Sequence, residues 1–133
     1  EHEIKLKQLI DFFQIKNFDS SKIKFSKKTY LAIKKNKNKY RWTYLSNENC
    51  PKHEIFNFEN FDEAYHRLIL ELFQILKKSI SVIFDECIKK IYVEGGFSKN
   101  KIFIEILKIN YPNHKIIINT ISNASSRGAA MLI

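Results

Sequence analysis

The stretch that most constrains this chain is IYVEGGFSKNKIFIE, residues 91–105, where a short apolar run meets two glycines and then takes on helical spacing. Ile91, Tyr92 and Val93 form a compact β-branched and aromatic run, too short for a helix, which predicts a buried strand over 88–93. Gly95 and Gly96 end it. Lacking a Cβ, they permit positive φ and let a ligand lie directly on the backbone. Ser98 stands where it can cap a helix over 99–110, whose apolar positions are Ile102, Phe103, Ile106 and Leu107. Free N–H groups at that helix start, together with the helix dipole, favour an electron-rich guest such as the adenosine or phosphate part of a nucleotide.

The residues beyond the glycines complete a unit. Tyr111-Pro112-Asn113 makes a turn, and Lys115 to Ile118 reads as a second short strand. A strand, a helix-length crossover and another strand predict an α/β arrangement with parallel pairing and a right-handed connection. Ligands in such sheets sit beyond the strand carboxyl ends, which is where Gly95 and Gly96 fall. A further helix is expected after Ser122 or Asn123, with Gly128, Ala129 and Ala130 giving it a small-residue surface.

The segments before the glycines supply helices. Asn60, with Glu63 three residues on, is a capping-box signature. From there Phe61, Tyr65, Leu68, Leu72, Ile75, Ile80 and Ile83 hold one stripe, so a long helix is expected to reach about Glu86. Ile69, Phe73 and Leu76 widen that stripe, which suits a helix laid across a sheet, with His66 on the solvent side and Cys87 as a small core residue. Residues 4–15 place Leu6, Leu9, Ile10 and Phe13 on one face of a docking helix, and the carboxylates of Glu1 and Glu3 fall at its favourable end. His2 has no catalytic partner near it in the chain. Residues 17–39 are expected to be irregular apart from a short helix over 29–35. Tyr40, Trp42 and Tyr44 alternate with Arg41 and Thr43, which predicts an extended segment whose rings cover a core edge. Residues 46–58 then read as a polar loop.

Composition narrows the function classes. With 44% apolar and 28% charged residues in 133, the chain has the balance of one globular domain rather than a disordered segment. No run approaches the roughly 20 apolar residues of a membrane span and no cleavable leader opens the chain, so a cytoplasmic location without a membrane partner is expected. The chain opens on Glu1 rather than Met, which suggests a piece of something longer. A net charge of +9 invites a nucleic-acid reading, yet of the 23 basic residues only Arg41, Arg67 and Arg127 are Arg. The densest run, Lys34 to Lys39, has no interleaved aromatic, so it reads as a solvated loop and nucleic acid is not expected as a partner. Cys50 and Cys87 fit a reducing compartment, and Cys50-Pro51-Lys52-His53 lacks the second ligand pair that zinc requires.

The string VEGGFSKNKIFIEIL, together with the NASSRGAAMLI ending, resembles the C-terminal domain of the FGGY carbohydrate kinases, members of the actin-like, ribonuclease-H-like ATPase superfamily. The match runs from about Asn60 to Ile133. It implies that residues 1–133 are the C-terminal portion of such a domain, with parallel strands and crossover helices, and that the sugar-binding N-terminal domain lies outside this chain. In the resembled family a strand leads into a GGxxxN segment that holds the adenine nucleotide. The matching positions are Gly95 and Gly96, against the adenosine and α-phosphate, and Asn100, as a polar contact to the adenine. The resemblance further implies ATP and Mg2+ as cofactors and transfer of the γ-phosphoryl group to a sugar hydroxyl. The catalytic Asp and the metal ligands belong elsewhere, so no catalytic or metal-binding residue is expected here. Asn123 and Arg127 stand where the family often has an acidic residue and Leu. Other readings of the same half-fold are a non-catalytic ATP-binding or protein-interaction module and, from charge alone, a nucleic-acid-binding domain. Missing upstream strands would leave a sheet edge open, so a homo-oligomer is also expected.

Overall fold

A computed structural model describes residues 1–36, 40, 42, 55–85 and 87–119. Among them are four α-helices and a two-stranded parallel sheet, a mixture of helix and strand compatible with the α/β class. In order these are α1 (His2–Phe12), α2 (Lys27–Lys35), α3 (Phe61–Ser81), β1 (Lys90–Val93), α4 (Lys101–Asn110) and β2 (Lys115–Ile118). Short 3-10 turns at Ile55–Asn57 and Gly96–Lys99 precede α3 and α4. None of these helices is long and apolar enough to cross a membrane. The final helix expected after residue 122, Arg127, and the Cys50 to His53 segment lie outside the described residues.

Local chemistry sets the helix starts. Ser26 Oγ accepts from Thr29 N at 3.2 Å to cap α2, and Asn60 Oδ1 accepts from Glu63 N at 2.9 Å to cap α3. The Glu63 carboxylate reaches back to the N–H of Glu59 at 3.0 Å, one residue earlier than the reciprocal capping-box bond would fall. Each cap satisfies an N–H that the first helical turn cannot pair, worth about 1 kcal/mol.

The core forms around the first half of α3, whose main packing partners are α1, α2 and α4. The expectation that this helix lies across a sheet is therefore corrected: it is wrapped by helices. Tyr65, Leu68, Ile69 and Phe73 are all but inaccessible to solvent, and Leu9, Ile33, Ile102 and Ile106 meet them from the surrounding helices. Each such Leu or Ile contributes about 2 kcal/mol by leaving water. Tyr40 and Trp42 close one side of this core, as their expected role at a core edge requires, and the Tyr40 hydroxyl donates to Ala64 O at 3.1 Å.

His66 and Arg67 are buried within this shell, so the solvent-facing assignment of His66 is wrong. Its Nδ1 donates to Asp62 O at 2.8 Å and its Nε2 accepts from Ser26 N at 3.1 Å, which ties the start of α2 to α3. Arg67 ties the other end of α2. Its Nη1 donates to Ile33 O at 2.6 Å and to Asn36 O at 3.3 Å, while Nε and Nη2 reach Glu71 Oε1 at 2.8 and 2.7 Å. The guanidinium thus neutralises a buried carboxylate and fills acceptors that the end of a helix leaves open.

Past Ile75 the stripe loses its cover. The helix stops at Ser81 rather than near Glu86, and Val82 and Ile83 are exposed. Cys87, expected in the core, is an exposed free thiol in the connection to β1. β1 itself starts at Lys90, two residues later than the sequence suggests. It pairs in parallel with β2, Lys90 opposite Lys115 through Val93 opposite Ile118. Ile91, Val93 and Ile116 pack on the core, while Tyr92, on the opposite face, is exposed.

Candidate functional site

The site grows from the carboxyl end of β1. Val93 O accepts from Asn119 N at 2.9 Å, which extends the ladder just past β2, and Asn119 Nδ2 donates to Glu94 Oε1 at 3.1 Å. The ends of both strands are thereby fixed side by side. The chain then leaves the sheet through Gly95, which adopts φ 70° and ψ −156°, a conformation that a residue with a Cβ rarely enters. Gly96 opens the 3-10 turn that carries the backbone to Asn100.

Both glycines are exposed, and a Cβ built on either would meet no atom within 4 Å. The space over the turn is open. Neither glycine N–H makes a hydrogen bond among the described residues. These amides lie one turn before the start of α4, whose dipole adds a positive potential.

The turn is held from inside. Ser98, expected to cap the helix, instead donates its hydroxyl to Gly95 O at 2.7 Å and its N–H to the same oxygen at 3.1 Å. Asn100 takes the cap, its Oδ1 accepting from Phe103 N at 3.1 Å, so the helix begins at Lys101 rather than 99. The same amide donates through Nδ2 to the Tyr65 hydroxyl at 2.8 Å. Burial pushes the Tyr65 phenol up to about 12, so it stays protonated and can accept this bond at neutral pH. Phe97 packs its ring 5.0 Å from Phe103 and 5.4 Å from the imidazole of His2. Burial holds His2 below the ordinary histidine value, and its Nε2 has no hydrogen-bond partner among the described residues.

The structure thus brings Gly95 and Gly96 together at the surface and sets Asn100 in the interior, only 3% exposed, with both ends of its amide engaged. What the turn offers a ligand is main chain: two donors and unobstructed space above the glycines. No group of three or more His, Cys, Asp or Glu among the described residues could hold a metal ion. Sequence reasoning missed Tyr65 and Phe97 as supports of the turn. The signal for Tyr65 was confined to its place in the α3 stripe, which marks a core residue without saying which polar group its hydroxyl meets. No family model, no curated protein and no solved structure matches this chain at a significant level.

Proposed function

We propose that the chain is the nucleotide-binding C-terminal part of a carbohydrate kinase of the FGGY type, built on a ribonuclease-H-like domain and passing the γ-phosphoryl group of ATP to a sugar hydroxyl. One observation carries this reading: the open Gly95–Gly96 turn, with left-handed backbone at Gly95, at the carboxyl rim of a parallel strand and directly before a helix. A purine nucleotide has a flat, electron-rich base and an anionic tail. Bare backbone accepts the first and unpaired amides at a helix start accept the second.

In this reading Gly95 and Gly96 contact the adenosine and α-phosphate. Asn100 contributes by holding the first turn of α4 to α3, and a direct contact to the adenine requires one of its present bonds to be exchanged for one to the base. The base that orients the sugar hydroxyl and the Mg2+ ligands come from the sugar-binding domain and the segments that precede this chain. When bound, the metal neutralises charge on the transferring phosphoryl group.

The test is calorimetric titration of the full-length protein with ATP, comparing Gly96→Val with the unaltered sequence. The valine side chain enters open space, so the melting temperature is expected to hold. ATP affinity is expected to fall about 100-fold, equivalent to about 2.7 kcal/mol of lost binding. Unchanged ATP affinity in the variant would remove the turn from the site. ADP release dependent on added sugar then separates a kinase from a module that binds ATP without turning it over.

A further inference from the structure

A groove of about 550 Å³ opens beside the glycine turn, between the loop over 19–25 and the outer side of α4. Ser98 and Lys99 form its near wall, so it begins two residues beyond Gly96. Its apolar surface comes from Phe25, Ile104 and Ile118, and its rim carries Lys24, Lys99, Lys101 and Lys108.

The charges do not cancel. Lys108 is taken by Glu105, at 2.7 Å. Lys24, Lys99 and Lys101 make no ion pair among the described residues, and all three are exposed. Among the described residues Glu105 is the only carboxylate lining the groove, and Asp19, at the start of the same loop, already accepts from the Ser21 hydroxyl and N–H at 2.7 and 2.9 Å. Those bonds, with lesser help from Lys22 and Lys101, hold its carboxyl below the usual range. Four lysines therefore line the groove against one carboxylate, which is already committed to Lys108. Three ammonium groups gathered over one concavity repel each other unless an anion sits among them.

We propose that this groove takes a polyphosphate chain, held by Lys24, Lys99 and Lys101. Its source is the nucleotide whose adenosine rests on the Gly95–Gly96 turn, an assignment of source that rests on the function proposed above. The spacing fits the path. Lys101 and Lys108 lie seven residues apart on one helix, so the groove runs roughly 10 Å along α4, and Ser98 and Lys99 join it to the turn. Lysine suits this task, because each ammonium is a compact charge that adjusts to phosphate oxygens without fixed fork geometry.

The experiment compares adenosine, AMP, ATP and inorganic tripolyphosphate as ligands of the full-length protein, with the triple variant Lys24→Gln, Lys99→Gln, Lys101→Gln and, separately, Gly96→Val. In the triple variant ATP and tripolyphosphate are each expected to bind about 10-fold or more weakly, the scale of losing charged hydrogen bonds at an exposed site, with adenosine unchanged. These lysines lie at the surface, so far-UV dichroism is expected to match the unaltered protein. ATP and tripolyphosphate binding untouched by the triple variant would overturn the groove. If Gly96→Val alone then abolished ATP binding, the nucleotide reading would stand without it. Conversely, tripolyphosphate lost in the triple variant, in a protein that binds no ATP, would uphold the groove and remove the nucleotide as its source.

Discussion

Gly95 and Gly96 are neighbours with different reasons to be glycine, and two alanine substitutions separate them. At Gly95 the backbone demands it: with φ at 70°, Gly95→Ala is expected to cost about 1–2 kcal/mol although the space is free. At Gly96 only a ligand would demand it, so Gly96→Ala is expected to stay within about 0.5 kcal/mol of the unaltered protein. Urea unfolding of both variants checks the contrast, and equal losses would contradict it. The burial of Tyr65 makes a second prediction, in pH. Because the folded phenol is raised to about 12 from 10, its contribution to stability is complete below pH 10 and is lost as pH rises toward 12. Denaturant midpoints measured on either side of pH 10 are expected to fall on the alkaline side, and less steeply in Tyr65→Phe. At this scale the sequence displayed the glycines but not the choice between Ser98 and Asn100 as cap. Both are good caps, and the 3-10 turn that defers the helix to Lys101 leaves no mark in periodicity.

Among the elements, α2 depends on α3 more than on its own propensity, since nine residues make a marginal helix in water. Arg67 holds its last carbonyls and His66 holds its cap residue. Arg67→Met removes the buried guanidinium together with its bonds to Glu71, Ile33 and Asn36, and is expected to cost about 3–5 kcal/mol by urea unfolding. The double variant Arg67→Met, Glu71→Leu is expected to recover much of that loss, and no recovery would refute the ion pair as its cause. Neither buried group was legible beforehand. Their partners lie 34 and 40 residues away, and a polar residue beside an apolar stripe reads as solvent-facing until the neighbouring helix is known. The capped start of α3, by contrast, was written locally in Asn60 and Glu63. Its end was not, because periodicity tells which face is apolar but not how far the covering helices extend. The exposed connection beyond Ser81 gives a direct check: Cys87 is expected to react with a maleimide in the native protein as fast as in urea.

At the scale of the whole molecule, the two-stranded sheet among the described residues is small beside the helices that adjoin it. Parallel strands are ordinarily buried on both faces, yet Tyr92 is 60% exposed, with Val82 and Ile83 bare in the approach to β1. The isolated 133-residue chain is expected to self-associate, its weight-average mass in sedimentation rising above 15.8 kDa with concentration. A concentration-independent monomer would contradict that. The parallel pairing of β1 and β2 was legible, because two short β-branched runs separated by a helix-length crossover admit little else; their register and the helical wrapping of α3 were not, since both depend on contacts between distant segments. One consequence of the link from Asn100 to Tyr65 reaches across this whole assembly. A guest pressing on the glycine bend would load a tether anchored in the second turn of α3, and its arrival at the surface would then be felt in the core. Slower amide exchange along α3 on adding nucleotide would be that message arriving, and the phenol is where it would be received.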